Sequence, residues 1–272
     1  MKLFVEHLTV IDAAYLHAQH GIVGESWIVD VTLHGDLDPQ SMVMDFGHVK
    51  KQLKAAIDNS IDHTLIAPRG AVEIAENSNG LLSLMYRFGD GEFMLHRTPP
   101  GAVTLLDAAE ITDALLSTWL EQHLMHVVPD NVTRVEIALR HEDDAPAHYH
   151  YAHGLKKHGG NCQRIAHGHR SRLQVWTEGA RDEAQERRWA RDWNYAYLAT
   201  ESDKIGETGS NSEFRYVSDQ GEFFLSYPTA RVRLLETDTT VECIAQHIAT
   251  MLGSTVRAYE GVHKGAIGEP AR

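Results

Sequence analysis

Three histidines and a cysteine in one stretch of the sequence have the spacing of a metal site. His167 and His169 are two residues apart, so on an extended strand both rings point to the same face. His153 precedes them and is expected on a neighbouring strand, and Cys162 lies between. Three protein ligands with a fourth position open are typical of catalytic rather than structural zinc. The pattern therefore predicts a Zn²⁺ site beside a thiol.

Two further features bear on this chemistry. His148 and His150 flank the stretch and could compete as ligands, so the residues alone leave the ligand set open. The adjacent pair Asp62-His63 follows a predicted helix in the first half of the chain. The carboxylate could fix the tautomer of the imidazole and make the pair a proton-transfer couple. An ordinary structural turn explains such a pair equally well.

The composition limits the classes of protein and partner. The chain has 272 residues, which suits one large or two ordinary domains, and 43% of them are hydrophobic. A formal charge of −13 argues against a nucleic-acid partner, so an anionic ligand would need a local basic cluster. Two cysteines cannot form a disulfide framework, and no signal peptide or membrane-length apolar run is visible. We expect a cytoplasmic protein with no membrane partner.

The sequence contains a diverged internal repeat. Residues 86–106 and 216–235 share a Gly-Glu-Phe strand, a proline turn and a Val-x-Leu-Leu strand, and each copy runs into a helical pattern. The acidic segment around residues 141–148 separates the copies. We therefore predict domains at residues 1–143 and 147–272.

The predicted helices follow from the same alignment. The helix after Met44 has apolar residues three to four positions apart, and its counterpart in the second half is predicted just after Arg191. The charged segment 179–188 is interpreted as a solvated loop or helix face. Thr239 and Glu242 form a capping-box pattern, which predicts the start of the last helix.

The repeat also shows that the two halves differ in their chemistry. Tyr15 aligns with His153, and Val23-Gly24-Glu25 aligns with His167-Gly168-His169, so the first half lacks the predicted ligands. The Asp62-His63 pair belongs to the first half, and the matching region of the second half, residues 199–213, contains no histidine. If the halves pack together, within or between chains, one composite site results.

These motifs resemble the 6-pyruvoyltetrahydropterin synthase family, which includes the bacterial 6-carboxytetrahydropterin synthases. The resemblance covers nearly the whole chain, as two family domains in tandem, and it favours His153 over His148 and His150 as a ligand. The motifs are Tyr149 and Tyr151 ahead of His153, Cys162 ahead of His167-Gly168-His169, Val43-Met44-Asp45-Phe46, Asp62-His63, Thr240-Val241-Glu242, and Glu260 near the C-terminus. The family carries these motifs in one chain of about half this length, whereas here they are divided.

The resemblance implies an α+β fold of two tandem T-fold (tunnelling-fold) domains, each an antiparallel four-stranded sheet with two helices on one face. His141 stands where the first half would carry the pterin-binding Glu, so that half is expected to bind no pterin. Family domains assemble as multi-subunit barrels, so a homo-oligomer of three chains, or a multiple of three, is expected.

The resemblance also implies the reaction. The substrate would be 7,8-dihydroneopterin triphosphate, and a zinc-dependent lyase would eliminate triphosphate within tetrahydropterin or queuosine biosynthesis. Cys162 would be the base, His63 oriented by Asp62 would relay protons, and Glu260 would bind the pterin ring. Cations near the motif are candidates for the triphosphate: Lys156, Lys157, Arg164 and Arg170. The alternatives are a dihydropterin aldolase-type activity and a non-catalytic pterin-binding protein.

Overall fold

The structure, a computed structural model, describes residues 1–76, 79–142 and 147–270, apart from the side chain of residue 49. The predicted domain boundary falls among residues 143–146 and the predicted end at residue 272; both lie outside the described residues. The first half contains β1 (Lys2–His17), β2 (Gly21–Gly35), α1 (Phe46–Ser60), β3 (Leu65–Pro68), β4 (Val72–Glu76), β5 (Leu82–Phe88), β6 (Glu92–Thr98), β7 (Val103–Leu106), α2 (Asp113–Leu124) and β8 (Val132–Arg140). The second contains β9 (His148–His153), β10 (His167–Thr177), β11 (Ala180–Arg181), α3 (Glu183–Trp193), β12 (Ala196–Thr200), β13 (Lys204–Thr208), β14 (Asn211–Ser218), β15 (Gly221–Pro228), β16 (Val232–Leu235), α4 (Val241–Leu252), β17 (Thr255–Glu260) and β18 (Lys264–Gly268).

Each half builds its own mixed sheet. The first has the order β7-β3-β1-β2-β8, and the second has the order β16-β12-β9-β10-β17-β18 with β11 beside β10. The expected four-stranded antiparallel sheets are therefore wrong in strand count and direction. In the first half, β1 pairs with β3 and β3 with β7 in parallel. These strands are reached by long crossovers, one through α1, and such crossovers allow parallel neighbours where a hairpin would not.

A third sheet joins the two halves. Its order is β13-β14-β15-β6-β5-β4, and β15 of the second half pairs antiparallel with β6 of the first. These strands contain the Gly-Glu-Phe segments that defined the repeat, so the repeated strands meet each other across the molecule. An apolar cluster beneath them includes Phe88 and Met94 from the first half and Phe223 and Leu225 from the second. The halves therefore share a core.

The helices pack on the sheet of their own half. Leu53 and Ile57 of α1 join Leu116 of α2 in a core with β1, β2 and β8. In the second half, α4 contributes Ile244 and Ile248 to a core with β9, β10 and β17. In each half, the helices cover one face of the sheet, and the opposite face is available for contact with the other half.

Two expectations about the second-half helices are corrected. The counterpart of α1 is the charged segment Glu183–Trp193. The segment predicted to be helical, residues 191–199, has only its first three residues in that helix and its last four in β12. The N-cap of α4 is Thr240, whose hydroxyl accepts from the backbone of Cys243; Thr239 has another role, described below. Within the described part of the chain, no helix has the length and apolar character to cross a membrane.

Candidate functional site

The predicted histidines meet on the pair of strands β9 and β10. His153 lies directly opposite His167 in the antiparallel register, and His169 follows two residues on, on the same face. Each of these three residues is at most 2% exposed. Gly168 lies between the two β10 histidines where the first half approaches most closely, since a Cβ there would lie 2.6 Å from Cα of Gly24. The sequence pattern thus produces a buried cluster of three imidazoles.

The donor atoms of this cluster fit a metal ion. One ring nitrogen of each of His153, His167 and His169 lies within 4.8 Å of the others. Nε2 of His169 is 3.2 Å from Nε2 of His153. Tetrahedral zinc with nitrogen ligands at about 2.0–2.1 Å requires nitrogens roughly 3.4 Å apart. The cluster has the donor type, number and spacing for such an ion.

The other ring nitrogens are oriented by oxygens of the chain. Nδ1 of His153 is 2.9 Å from the carbonyl oxygen of Thr239, and Nδ1 of His167 is 2.8 Å from that of Arg164. Nδ1 of His169 lies 3.2 Å from a carboxylate oxygen of Asp12. The carbonyl partners of His153 and His167 fix the tautomer and leave Nε2 for a metal. Nδ1 of His169 has a close charge contact with Asp12 but no hydrogen bond. Sequence reasoning missed Thr239 and Asp12, because neither lies beside the histidines in the sequence.

Burial keeps two of these rings neutral. It is the largest factor lowering the pKa of His153 well below the usual histidine value, and neighbouring His169 lowers it further. Burial likewise lowers the pKa of His167, with His153 and His63 adding to the effect. The neutral imidazole is the form that binds metal ions. The cluster is therefore ready to bind a cation.

The predicted acid–base pair reaches the same place from the other half of the same chain. Asp62 and His63 follow α1, and a carboxylate oxygen of Asp62 is 2.7 Å from Nδ1 of His63. His63 has a φ of 54°, a conformation that is unusual for a residue other than glycine. The His63 ring centroid lies 5.0 Å from that of His167 and 6.3 Å from that of His169. The pair and the cluster form one composite arrangement.

Cys162 joins the two parts. It lies in a 3₁₀ turn, Gly160–Gln163, and its sulfur forms a second compact donor group with His63 and His167. Both groups use His167. Burial lowers the pKa of His63, but the hydrogen bonds and charges of Asp62 and Cys162 outweigh it and raise the pKa to about 10. Without a metal, His63 is therefore an imidazolium beside the thiol at neutral pH.

Glu260 ends β17 at the edge of the cluster. One of its carboxylate oxygens is 3.8 Å from Nε2 of His169, and the side chain is a quarter exposed. A carboxylate here can accept hydrogen bonds from a ligand entering beside the histidines. The predicted site residues are thus brought together.

The candidate triphosphate cations have partners within the chain. Lys156 pairs with Asp203, and Nζ of Lys157 is 2.6 Å from Asp238. Arg170 donates to the carbonyl oxygen of Glu142 at 3.0 Å. Their predicted role in binding phosphate stays a prediction.

Arg164 differs from the other three cations because it touches the site. It donates to the carbonyl oxygens of Asp62 and His63, each at 3.4 Å. The loop of the second half that contains Arg164 therefore also contacts Asp62-His63 of the first half, through its guanidinium group.

The first half repeats the frame of the site with other residues. Tyr15 pairs with Val23 as His153 pairs with His167, which agrees with the predicted alignment. The counterpart of Asp62-His63 is Asn194-Tyr195, and the predicted equivalence with residues 199–213 is wrong. Tyr195 shares the positive φ, and its N–H donates to His150 just as that of His63 donates to Asp12.

The first-half site is filled by side chains. His20 stacks on Tyr195 with centroids 3.9 Å apart. Glu25, in the place of His169, lies 3.3 Å from His141 and 3.4 Å from His150. Among the described residues the compact metal-donor groups all lie at the other site.

One family model matches both halves of the chain. The sequence profile described as 6-pyruvoyl tetrahydropterin synthase matches residues 11–145 and again residues 144–264. The chain is similar to 6-pyruvoyltetrahydropterin synthase from Plasmodium vivax, with 16% identity over 53% of this chain and 93% of the other and a TM-score of 0.43. It is similar to the Plasmodium falciparum enzyme with 16% identity over 51% and 90% and a TM-score of 0.41. A search of curated proteins finds no match.

Proposed function

This chain belongs to the 6-pyruvoyl tetrahydropterin synthase family, and we propose that it is a zinc-dependent lyase acting on 7,8-dihydroneopterin triphosphate with elimination of triphosphate. One observation carries the proposal. Asp62-His63 from the first half lies against Cys162 and the three-histidine cluster of the second half within a single chain. The motifs that the sequence divides are reunited by folding, so each chain would hold one complete site.

The metal would be held by His153, His167 and His169. Their burial, the neutral rings of His153 and His167 and the 3.2 Å separation between two Nε2 atoms support this assignment. When bound, zinc would supply Lewis-acid activation of the substrate's side-chain hydroxyls.

Cys162 and His63 would move protons on the substrate side chain. Cys162, whose sulfur lies in one compact donor group with the ring of His63, would remove a proton from carbon. His63, which Asp62 holds by Nδ1 at 2.7 Å, would donate or accept at the neighbouring oxygen. The two groups lie in one donor cluster, so they can act on adjacent atoms.

Glu260 would bind the pterin. Its carboxylate can accept two parallel hydrogen bonds from the amino group and ring N–H of that heterocycle. Its place beside His169 would direct the substrate side chain toward the cluster and the thiol. Assembly of three chains, which would give the six domains of a family hexamer, belongs to the same proposal.

The test is incubation of the zinc-loaded protein with 7,8-dihydroneopterin triphosphate, followed by mass analysis of the pterin and assay of triphosphate. Triphosphate release that disappears in Cys162→Ala and His63→Ala supports the lyase. Release of a two-carbon fragment with the triphosphate retained would instead establish the aldolase-type activity. Binding without any product would establish a pterin-binding protein and overturn catalysis.

A further inference from the structure

We infer that Asp12, in the half that has no metal ligands of its own, is a positioning residue that orients His169 for the metal. This inference rests on the proposed metal site and adds to it a residue from the other half. Asp12 lies on β1, and its carboxylate oxygen is 3.2 Å from Nδ1 of His169. Of the oxygens that face Nδ1 atoms in the cluster, this one alone is charged; the others are the carbonyls of Thr239 and Arg164 and the hydroxyl of Thr239.

The surroundings of Asp12 hold its carboxylate in place. The hydroxyl of Ser26 on β2 donates to the same oxygen that faces His169. Gly261 has a φ of +63°, and a Cβ there would lie 2.7 Å from that oxygen, so the chain leaves this space for the carboxylate. The side chain is 18% exposed and the ring of His169 only 3%, so solvent screens the contact weakly.

The backbone of Asp12 forms hydrogen bonds with the acid–base pair Asp62-His63. Its N–H donates to a carboxylate oxygen of Asp62 at 2.8 Å, and its carbonyl accepts from the N–H of His63 at 2.7 Å. One residue therefore contacts both the acid–base pair and a metal ligand. The carboxylate lies beside Nδ1 of His169 without a hydrogen bond in this structure, so it acts on the ring through its charge. A carboxylate beside the second nitrogen of a ligating histidine raises the basicity of the ring and favours the orientation that leaves Nε2 for the metal.

The internal repeat supplies a matched control. His150 occupies the equivalent position in the second half: its backbone contacts Asn194 and Tyr195, and its ring lies 3.4 Å from Glu25, the counterpart of His169. The same contact between the halves thus occurs twice, as Asp12 with His169 and as His150 with Glu25, so the acid and the base exchange places. Only the contact of Asp12 contains a predicted metal ligand.

The experiment compares Asp12→Asn with His150→Asn in the full chain. Zinc affinity is measured by chelator competition, and the visible absorption of Co²⁺ reports the geometry of the ligands. Asp12→Asn keeps an oxygen for Ser26 and removes the charge, so we expect zinc affinity to fall about 10- to 100-fold and the Co²⁺ spectrum to change. Asp12→Glu is expected to recover part of the affinity, and His150→Asn to bind like the parent protein.

The possible outcomes separate this inference from the function on which it rests. If the parent protein binds one zinc ion and Asp12→Asn binds it as tightly, Asp12 does not position His169, and the metal site stands. Equal losses in Asp12→Asn and His150→Asn would mean that the contact between the halves matters only for folding, which also overturns the inference. A parent protein that binds neither zinc nor Co²⁺ overturns both proposals.

Discussion

Gly24 and Gly168 face each other where the sheets of the two halves meet. A Cβ on Gly168 would lie 2.6 Å from Cα of Gly24, and a Cβ on Gly24 would lie 1.9 Å from the carbonyl oxygen of Tyr151 and 2.5 Å from the backbone nitrogen of His169. These obstacles are backbone atoms and cannot rotate away. The absence of two side chains allows the first half to reach the histidine cluster of the second.

A methyl group at this contact is expected to separate the halves. Gly24→Ala should lower the free energy of unfolding by about 2–3 kcal/mol, in line with overpacked cores, and weaken zinc binding because the overlap falls on the backbone of His169. Urea unfolding and zinc titration measure the two effects. Gly206→Ala is the control, because a Cβ there has no neighbour within 4 Å. Equal stability of the two variants would contradict the close-contact explanation.

The charge of Asp62 is expected to control the proton affinity of His63. Asp62→Asn keeps an oxygen for the N–H of Asp12 but removes the negative charge, so in the metal-free protein the pKa of His63 should fall from about 10. Imidazole NMR signals followed against pH measure the shift. Turnover should drop roughly 100-fold, within the usual contribution of a general acid–base group.

The control for that variant is Asp58→Asn on α1, where Asp58 pairs with Lys54. It removes the same charge close by in the sequence but away from the histidine cluster. Unchanged titration of His63 in Asp62→Asn would show that the thiol, rather than the carboxylate, holds the proton on the ring.

The sequence predicted the parts of the site that depend on local geometry. Alternation along a strand places His167 and His169 on one face, and the repeat gave the correct pairing of Tyr15 with His153 as equivalent positions. The meeting of Asp62-His63 with the cluster is what a fused pair of halves suggested, but the sequence left open whether it occurs within one chain or between chains. These inferences used only short-range periodicity and comparison of one half with the other.

The sequence left residues 179–188 open as a solvated loop or a helix face and did not identify α3 as the counterpart of α1, because a buried charged residue conceals its apolar face. Glu186 is fully buried, accepting from the backbone of Val175 and from Arg181, and it shares the inner face with Ala190 and Trp193. Apolar periodicity alone therefore indicates a solvated loop or helix face for residues 179–188. Because α1 was matched to the residues after Arg191, the alignment of the two halves was shifted there. Asn194-Tyr195 was therefore not recognised as the counterpart of Asp62-His63.

The roles of Asp12 and Thr239 depend on contacts between distant parts of the chain. Asp12 is 157 positions from His169, and Thr239 is 86 positions from His153. Thr239 and Thr240 are both suitable caps by residue type, and only the tertiary structure decides that Thr240 caps α4. Partners of this kind become visible once the packing of the halves is known.

The shared sheet is expected to weaken at acidic pH through His96. This ring on β6 is buried, with Nδ1 3.0 Å from the carbonyl oxygen of Phe224 on β15, and burial lowers its pKa to about 4. In the unfolded chain His96 binds a proton below about pH 6.5, whereas in the folded protein it stays neutral down to about pH 4. Stability should therefore fall by up to about 3 kcal/mol between these pH values.

Urea unfolding at a series of pH values checks the contribution of His96. His96→Gln keeps an N–H donor for Phe224 without a titrating ring, so its stability should depend less steeply on pH in this window. The exposed His48 provides the control, and His48→Gln should behave like the parent protein. A slope that stays the same in His96→Gln would assign the acid sensitivity to other groups.

The ion pair between Glu92 and Arg231 is expected to stabilise the contact between the halves more than an exposed pair does. Nε of Arg231 lies 3.0 Å from both carboxylate oxygens, its Nη atoms donate to the carbonyls of residues 19 and 20, and the two side chains are 24% and 30% exposed. A double-mutant cycle with Glu92→Gln and Arg231→Gln, measured by urea unfolding, should give a coupling of about 1 kcal/mol. The same cycle on Arg69 and Asp107, which are 55% and 88% exposed, should give about 0–0.5 kcal/mol. Equal couplings in the two cycles would show that this pair stabilises the contact between the halves no more than an exposed pair does.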